Sequence, residues 1–548
     1  MAISDEKLLE AGIRSGLIEA RQLDALRLAA RKKQLPLLRV VQAHYRFPLS
    51  VLYRAVAEQS GLAYIDIISC KIADSYFKKI PPSLIRRIAV LPVVSGEQVY
   101  LAVANPFERA SIDTIQRLLG QPLPLAVVDA SALSIKIARV LENQATAVTA
   151  GSSVAEATDL VNLLDVIISE AYLNRASDIH LVIEKTGLRV RLRIDGKLHD
   201  YPVAVDLDAG LGIISRIKVL SDLDISEQRQ PQDGGFSYYL AAPIDKSFNI
   251  RVATAPIRLG ERVTMRLLAE ESNALSLIDL GMASADLVRF RQAIAKPYGL
   301  ILLTGPTGSG KSTTLCAALQ EINQPDINIM TVENPIEYVI AGVSQLQTGS
   351  KVSFAAALRS FLRHDPDVLM VGEIRDAETA DVAVKAAMTG HMVFSTLHTN
   401  NAVSAVTRLI DIGCEPFLIG STVTAVIAQR LVRQLCVHCR TPRLAHASEF
   451  EELGVVEAVS IFQPVGCSLC QGSGYKGRLG LFETLWFDDQ LARMVTRGAD
   501  EEMLEENAGK RLQYMWEDGI RKVLQGLTTL DELRNVATYK THPVLREG

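Results

Sequence analysis

Apolar residues along this 548-residue chain recur at helical spacing first and at strand spacing later. Leu17, Leu23, Leu26 and Leu28, and then Val51, Leu52 and Val56, fall near the helical period and predict amphipathic helices. Residues 99–103 alternate as a strand does, so 1–142 reads as a mixed α+β module. Residues 143–157 are small and polar, the composition of a flexible linker. Residues 158–268 read as an α/β unit. Within it, 188–194 sets arginines on one face and aliphatics on the other, a half-buried strand, and Asp195-Gly196 supplies its turn. A second connector, 269–275, is the expected hinge. In 276–548 short apolar runs (300–303, 368–371 and 392–394) alternate with helical segments, the pattern of a mostly parallel sheet. The expected class is α/β multidomain, without internal repeats.

Composition changes this picture little. Hydrophobic residues are 48% and charged residues 22%, ordinary for a globular protein. No run approaches the ~20 apolar residues of a membrane span, and the N-terminus lacks the apolar core of a secretory signal. The expectation is a cytoplasmic protein with no membrane insertion of its own, peripheral at a membrane only through partners. The net charge of −4 is uneven: residues 1–150 carry 19 Lys and Arg against 13 Asp and Glu, the remainder 39 against 49. That acidic balance after residue 150 argues against a nucleic-acid surface. The seven cysteines are an odd number and argue against a disulfide framework.

The most informative stretch follows the apolar run at 300–303. Gly305, Pro306, Thr307, Gly308, Ser309, Gly310, Lys311, Ser312 and Thr313 form a glycine-rich loop leading into a helix. Glycines let successive N–H groups curl toward a phosphate, and Lys311 adds a point charge for the β- and γ-phosphates. Ser312 offers a hydroxyl to Mg²⁺, and the helix dipole favours the anion. ATP and Mg²⁺ are the cofactors this predicts. Three downstream stretches bear on the same chemistry. The run 368–371 leads to Gly372-Glu373, which places a carboxylate, Glu373, for the Mg²⁺ shell. Residues 331–337 carry acids, Glu337 among them, suited to orient and deprotonate a water. His398, in Ser395-Thr396-Leu397-His398-Thr399-Asn400, is a candidate donor to a γ-phosphate.

Taken in order, these pieces resemble the ATPase superfamily of bacterial type II secretion and type IV pilus assembly. Further matching pieces are Arg175-Ala176-Ser177-Asp178-Ile179-His180, Arg193-Ile194-Asp195-Gly196, Ser215-Arg216-Ile217-Lys218, Pro231-Gln232-Asp233-Gly234, Gly260-Glu261-Arg262 and Gly372-Glu373-Ile374-Arg375-Asp376. The resemblance implies a RecA-like P-loop ATPase domain preceded by a PAS-like α/β domain and an N-terminal docking module. It implies Glu373 at magnesium, Glu337 as catalytic base, His398 as γ-phosphate sensor, and Arg216, Arg229 and Arg251 as arginines completing the site on closure. It also implies a homohexamer whose motion drives an inner-membrane platform protein. Residues 1–142, through Gly61-Leu62-Ala63-Tyr64, Ile80-Pro81-Pro82 and Val103-Ala104-Asn105-Pro106, resemble the module that docks on the cytoplasmic domain of a membrane assembly protein. Related modules bind cyclic di-GMP through Arg-Leu-Gly-type repeats; residues 33–39 lack the glycine, and no such binding is expected.

Cys436-x-x-Cys439 and Cys467-x-x-Cys470 form two knuckles 27 residues apart, a spacing suited to structural, tetrahedral Zn²⁺. The region also matches the metal-binding insertion of the family, 436–470. Redox-active dithiols are the alternative.

The function expected is an ATP-hydrolysing assembly motor for a pilus or pseudopilus. Asn334 and Gly235, where the family has Asp and Arg, motivate a second reading, a nucleotide-regulated scaffold with negligible turnover. A DNA translocase is the third.

Overall fold

The computed structural model describes residues 3–33, 35–67, 70–81, 84–85, 88–96, 98–145, 155–201, 203, 205–240, 246–268, 276–349 and 351–539. The chain divides into two compact units, one of Met1–Ala269 with Cys467–Gly472, the other of Glu270–Gly466 with Ser473–Gly548.

The first unit opens with four helices, α1 (Asp5–Arg14), α2 (Leu23–Lys33), α3 (Leu37–Tyr45) and α4 (Leu49–Gln59). Leu23 and Leu26 of α2 and Val51, Leu52 and Val56 of α4 enter one core, as their spacing predicts, and Leu17 joins it from the turn before α2. Leu28 does not: it is 57% exposed, because two positions past Leu26 is about 200° around a helix. A five-stranded sheet follows in the order β1-β5-β4-β3-β2, with β1 Ala63–Tyr64, β2 Lys71–Ile72, β3 Val90–Ser95, β4 Gln98–Val103 and β5 Leu125–Val127. Leu91, Val93, Leu101 and Val103 pack there against Ile112, Ile115 and Leu119 of the Arg109–Leu119 helix.

Of the expected linker, 143–145 complete the Ala130–Ala145 helix and 155–157 open the Ala155–Leu173 helix; 146–154 lie outside the described residues. The expected hinge, 269–275, also lies outside them.

The rest of the first unit is a six-stranded antiparallel sheet, order β8-β7-β6-β11-β10-β9. Its strands are β6 Asp178–Glu184, β7 Gly187–Ile194, β8 Lys197–Tyr201, β9 Gln232–Leu240, β10 Lys246–Ile257 and β11 Gly260–Leu268. The helices Ala155–Leu173 and Leu207–Leu220 cover one face, where Ile167, Ile168, Ile213 and Ile217 meet Ile179, Leu181, Val190 and Val263. Because side chains alternate along a strand, Arg189, Arg191 and Arg193 lie on the opposite face. One buried ion pair crosses to the Leu207–Leu220 helix: Lys218 Nζ donates to both Glu261 oxygens at 2.9 Å and to the Glu227 carbonyl at 2.7 Å. Both side chains are almost fully buried, so each leaves a costly bare charge if the other is removed. The carbonyl bond also ties down the loop that carries Arg229.

The second unit is built on an eight-stranded sheet, order β14-β13-β15-β16-β12-β17-β20-β21. The strands are β12 Gly299–Thr304, β13 Ile329–Glu333, β14 Ser344–Gln347, β15 Val368–Val371, β16 Met392–Leu397, β17 Val423–Leu435, β20 Tyr475–Trp486 and β21 Leu512–Gln513. From β14 to β17 all pairs are parallel, and β20 and β21 continue antiparallel. Buried on both faces, β12, β15 and β16 read as unbroken apolar or small-residue runs, and β13 does so up to its last residue, Glu333. The hairpin of β18 (Thr441–Leu444) and β19 (Ser460–Gln463) lies between the two cysteine knuckles in sequence.

Candidate functional site

In an open parallel sheet, ligands bind beyond the carboxyl ends of the strands. Every strand-end motif of the sequence gathers on that edge. β12 lies between β16 and β17 and runs into the glycine-rich loop, which ends in the Lys311–Ile322 helix. Gly305, Gly308 and Gly310 have φ of 142°, 79° and 89°, the left-handed region that an L side chain resists. Gly305 is further constrained, since a Cβ there would stand 2.4 Å from the Gln429 carbonyl oxygen. Pro306, Thr307, Gly308 and Ser312 are exposed, while Ser309 is buried with its hydroxyl unpartnered. Thr313 Oγ1 pairs with Tyr338 OH at 3.1 Å, and Thr314 Oγ1 donates to Gln429 Oε1 at 2.8 Å.

Lys311 is buried and its ammonium donates to the carbonyls of Gly305 at 2.7 Å and Pro306 at 3.1 Å. Burial lowers its pKa; the nearby carboxylates of Glu373 and Glu337 oppose that, and Arg430 adds to it. The same electrostatics show that both predicted acids lie close enough to act on Lys311.

Glu373 follows β15 by two residues. Its oxygens are 2.5 Å from Arg375 Nη2 and 3.4 Å from His398 Nε2. His398 follows β16, the neighbour of β15, so adjacent strands bring the two side chains together. Glu337 is exposed on the loop after β13, just past the cis Asn334–Pro335 bond. A second carboxylate sits deeper. Glu333, the last residue of β13, is 8% exposed and accepts from Thr331 Oγ1 at 2.6 Å and Gln345 Nε2 at 2.9 Å. Burial raises its pKa, against the lowering effect of those two hydrogen bonds.

The three arginines expected to complete the site lie in the first unit. Arg216 is exposed on the Leu207–Leu220 helix, Arg229 is 91% exposed beside Glu227, and Arg251 is exposed on β10. They occupy a helix, a loop and a strand of that unit. Gly235 is the direct cross-strand partner of Arg251, and a Cβ at 235 would stand 2.8 Å from the Ile250 carbonyl oxygen.

Residues outside the motifs, Thr304 and Arg430 among them, brace the His398 segment. Thr304 Oγ1 meets Thr399 Oγ1 at 2.6 Å and so ties β12 to the segment after His398. Arg430, on β17, reaches Asn400 Oδ1 at 3.1 Å and is held below the ordinary arginine pKa by burial. Gln429 and Arg430 sit on a strand separated from the loop by more than a hundred residues, where no local spacing reveals them.

The four cysteine sulfurs of Cys436, Cys439, Cys467 and Cys470 lie within 4.8 Å of one another. Cys467 Sγ and Cys470 Sγ are 3.7 Å apart, close to the ~3.8 Å edge of a tetrahedron with ~2.3 Å metal–sulfur bonds. Backbone amides point at two of them: Gly466 N donates to Cys439 Sγ at 3.3 Å, and Cys467 N to Cys470 Sγ at 3.1 Å. Such N–H groups stabilise thiolates rather than thiols. The donor set fits zinc.

A glycine loop between a central parallel strand and a helix, with a buried lysine and a neighbouring strand ending toward a carboxylate, defines a P-loop ATPase. Residues 154–535 match the type II/IV secretion system protein family, and the chain belongs to it. Residues 60–147 match the MshEN domain. The chain is 40% identical to the type II secretion system protein E of Pseudomonas aeruginosa over 486 residues, 84% of this chain and 96% of that protein. It is 45% identical to the type II secretion system ATPase E of Vibrio cholerae over 381 residues, 69% of this chain and 75% of that protein. Among solved structures, the Legionella pneumophila ATPase DotB is similar in fold, with a TM-score of 0.52 and 22% identity over 68% of this chain and 95% of DotB. The protein is thus an ATPase of the secretion and pilus family. No helix among the described residues is long and apolar enough to cross a membrane.

Proposed function

We propose that this chain is the hexameric motor whose ATP hydrolysis drives assembly of a type II secretion pseudopilus or type IV pilus, working in the cytoplasm at the inner membrane. The observation that carries the reading is the meeting of Glu373 and His398 on the strand edge beside Lys311. In this reading, residues 305–313 hold the phosphates. Ser312 and Glu373 are hard oxygen donors suited to hold Mg²⁺, which supplies charge neutralisation at the phosphates when bound. Glu337, exposed on the loop after β13, takes the proton from the attacking water. His398, already against Glu373, reports the presence of the γ-phosphate by exchanging one partner for the other. Arg216, Arg229 and Arg251 are the candidates to stabilise charge on the transferring group, an effect worth about 10³–10⁵ in rate for one arginine. Cys436, Cys439, Cys467 and Cys470 hold a structural Zn²⁺, and the N-terminal module docks on a membrane assembly protein while the ring acts on a platform protein.

The test is magnesium-dependent ATP turnover of the purified hexamer, with and without the platform protein. Glu337→Gln is expected to lower turnover while leaving ATP binding intact. A parent hexamer that binds ATP but does not turn it over, with or without partner, sinks the motor reading. It would favour the second reading, a nucleotide-regulated scaffold, which Asn334 and the bare Gly235 opposite Arg251 support.

A further inference from the structure

The polar face of the six-stranded sheet holds a group of donors that the nucleotide site does not use. His180, on β6, is 6% exposed. Its Nδ1 lies 3.2 Å from Arg262 Nη2 and 3.3 Å from Thr264 Oγ1. A guanidinium only donates, so Nδ1 is the acceptor and the ring proton sits on Nε2. Burial keeps the ring neutral; Asp178 works against this, and Arg193, Arg262 and Arg191 work with it. Nε2–H is buried and meets no partner, and on the facing strand Arg191 Nε–H is buried and unmet as well. His180 and Arg191 are directly opposed in the β6–β7 register, which sets their Cβ atoms about 4.5–5.5 Å apart.

The charges around the pair point the same way. Arg262 lies beside His180, and the next row across the sheet is Arg251, Arg266, Asp178 and Arg193 in register. Asp178 is shared between Arg266 at 2.8 Å and Arg193 at 3.6 Å. Arg189 pairs with both Glu184 and Asp200, a group one negative charge in excess. Arg189, Arg191, Arg193, Arg262 and Arg266 against Asp178, Glu184 and Asp200 leave a surplus of two positive charges, which suits a doubly charged tetrahedral anion better than a single carboxylate. A buried donor left unmet costs the desolvation of that group, and two on one cross-strand pair mark a place built to receive an acceptor.

We propose that this face binds a phosphoryl oxyanion, with His180 Nε2–H and Arg191 Nε–H as inner donors and the guanidiniums of Arg193 and Arg262 as the surrounding charge. The site lies in the first unit, and its residues are none of the three arginines assigned to the nucleotide, so it stands whether or not that assignment holds.

The test is isothermal titration of full-length Lys311→Ala protein with sodium phosphate at constant ionic strength, a background that weakens phosphate binding at the glycine loop. Saturable uptake of about one phosphate per chain is expected, weakened at least about tenfold by Arg191→Gln, because a charge-assisted bond is lost. His180→Phe is expected to weaken it similarly. Since His180 is buried, Arg191→Gln, checked for an unchanged melting temperature, carries the decision if the histidine variant does not fold. Competition by ADP in the same background identifies the phosphate tail of a nucleotide as the source; its absence identifies free phosphate. No saturable uptake, or uptake unchanged by Arg191→Gln, overturns the proposal.

Discussion

His398 Nε2 stands 3.4 Å from Glu373 Oε2, each side chain a short step beyond the end of one of two neighbouring parallel strands. The pair couples a carboxylate whose charge acts on Lys311 to a group able to change partner when a phosphate arrives. Glu373→Gln is expected to lower magnesium-dependent ATP turnover by about 10²–10⁴, the range for removing a positioned charged group in such a site. His398→Gln is expected to cost less. If the two act as one unit, the double variant is no slower than Glu373→Gln alone; steady-state turnover of the three variants decides it, and strict additivity refutes the coupling.

Lys311 is a buried ammonium satisfied by two loop carbonyls, and burial lowers its pKa. A lysine whose folded pKa lies below its unfolded value binds its proton less tightly in the fold. Its charge therefore weighs against the nucleotide-free fold at neutral pH, and that burden fades only as the pH rises toward the unfolded value. Lys311→Met is expected to lose ATP affinity by at least about tenfold, the loss of one strong charge-assisted contact, while the nucleotide-free melting temperature holds or rises. Fluorescent-nucleotide titration and thermal melting read the two effects separately.

The cysteine quartet predicts about one zinc per chain in protein purified without chelator. Cys467→Ser is expected to lose most of it and to lower the melting temperature, because structural zinc binding contributes directly to folding. Atomic absorption with thiol titration checks this. Less than about half an equivalent of zinc together with reactive thiols refutes the metal and leaves the redox alternative.

Glu449, between the knuckles, is gripped by Arg443 through two hydrogen bonds of 2.7 and 2.6 Å and accepts from the His446 amide at 2.8 Å. The arginine bonds hold its pKa down, at about 2. A carboxylate with a depressed folded pKa contributes stability above its unfolded pKa, and that contribution is lost as the pH falls toward the folded value. Glu449→Gln is expected to destabilise at neutral pH by on the order of 1 kcal/mol, since the partner it leaves unanswered, Arg443, is only partly buried. The gap between parent and variant in a melting series closes as the pH drops from about 4.5 toward 2.

Much of the nucleotide edge was legible because its chemistry is local. The curl from Gly305 to Gly310 needs consecutive residues, and the runs at 300–303 and 368–371 sit wholly within β12 and β15, whose all-apolar faces betray burial on both sides. Leu28 misled for a related reason: it is apolar and near the right spacing, but angular position on the helix, not spacing to one neighbour, decides burial. Arg430 and Gln429 were illegible, since β17 brings them to Asn400 and Thr314 through a sheet order that no single stretch encodes. Glu333 was visible as one acid of the 331–337 stretch, yet nothing in that stretch marks it as the buried one.

The sequence alone determined the nucleotide chemistry, the family and the two cysteine knuckles, because each depends on residue types at short, fixed spacings. Tertiary structure decided which side chains meet. Parallel pairing of β15 with β16 set His398 against Glu373, and antiparallel pairing of β6 with β7 set His180 opposite Arg191. Register and strand order are settled by how whole faces bury, a cooperative property of the sheet, and so the partners they create appear only once the chain has folded.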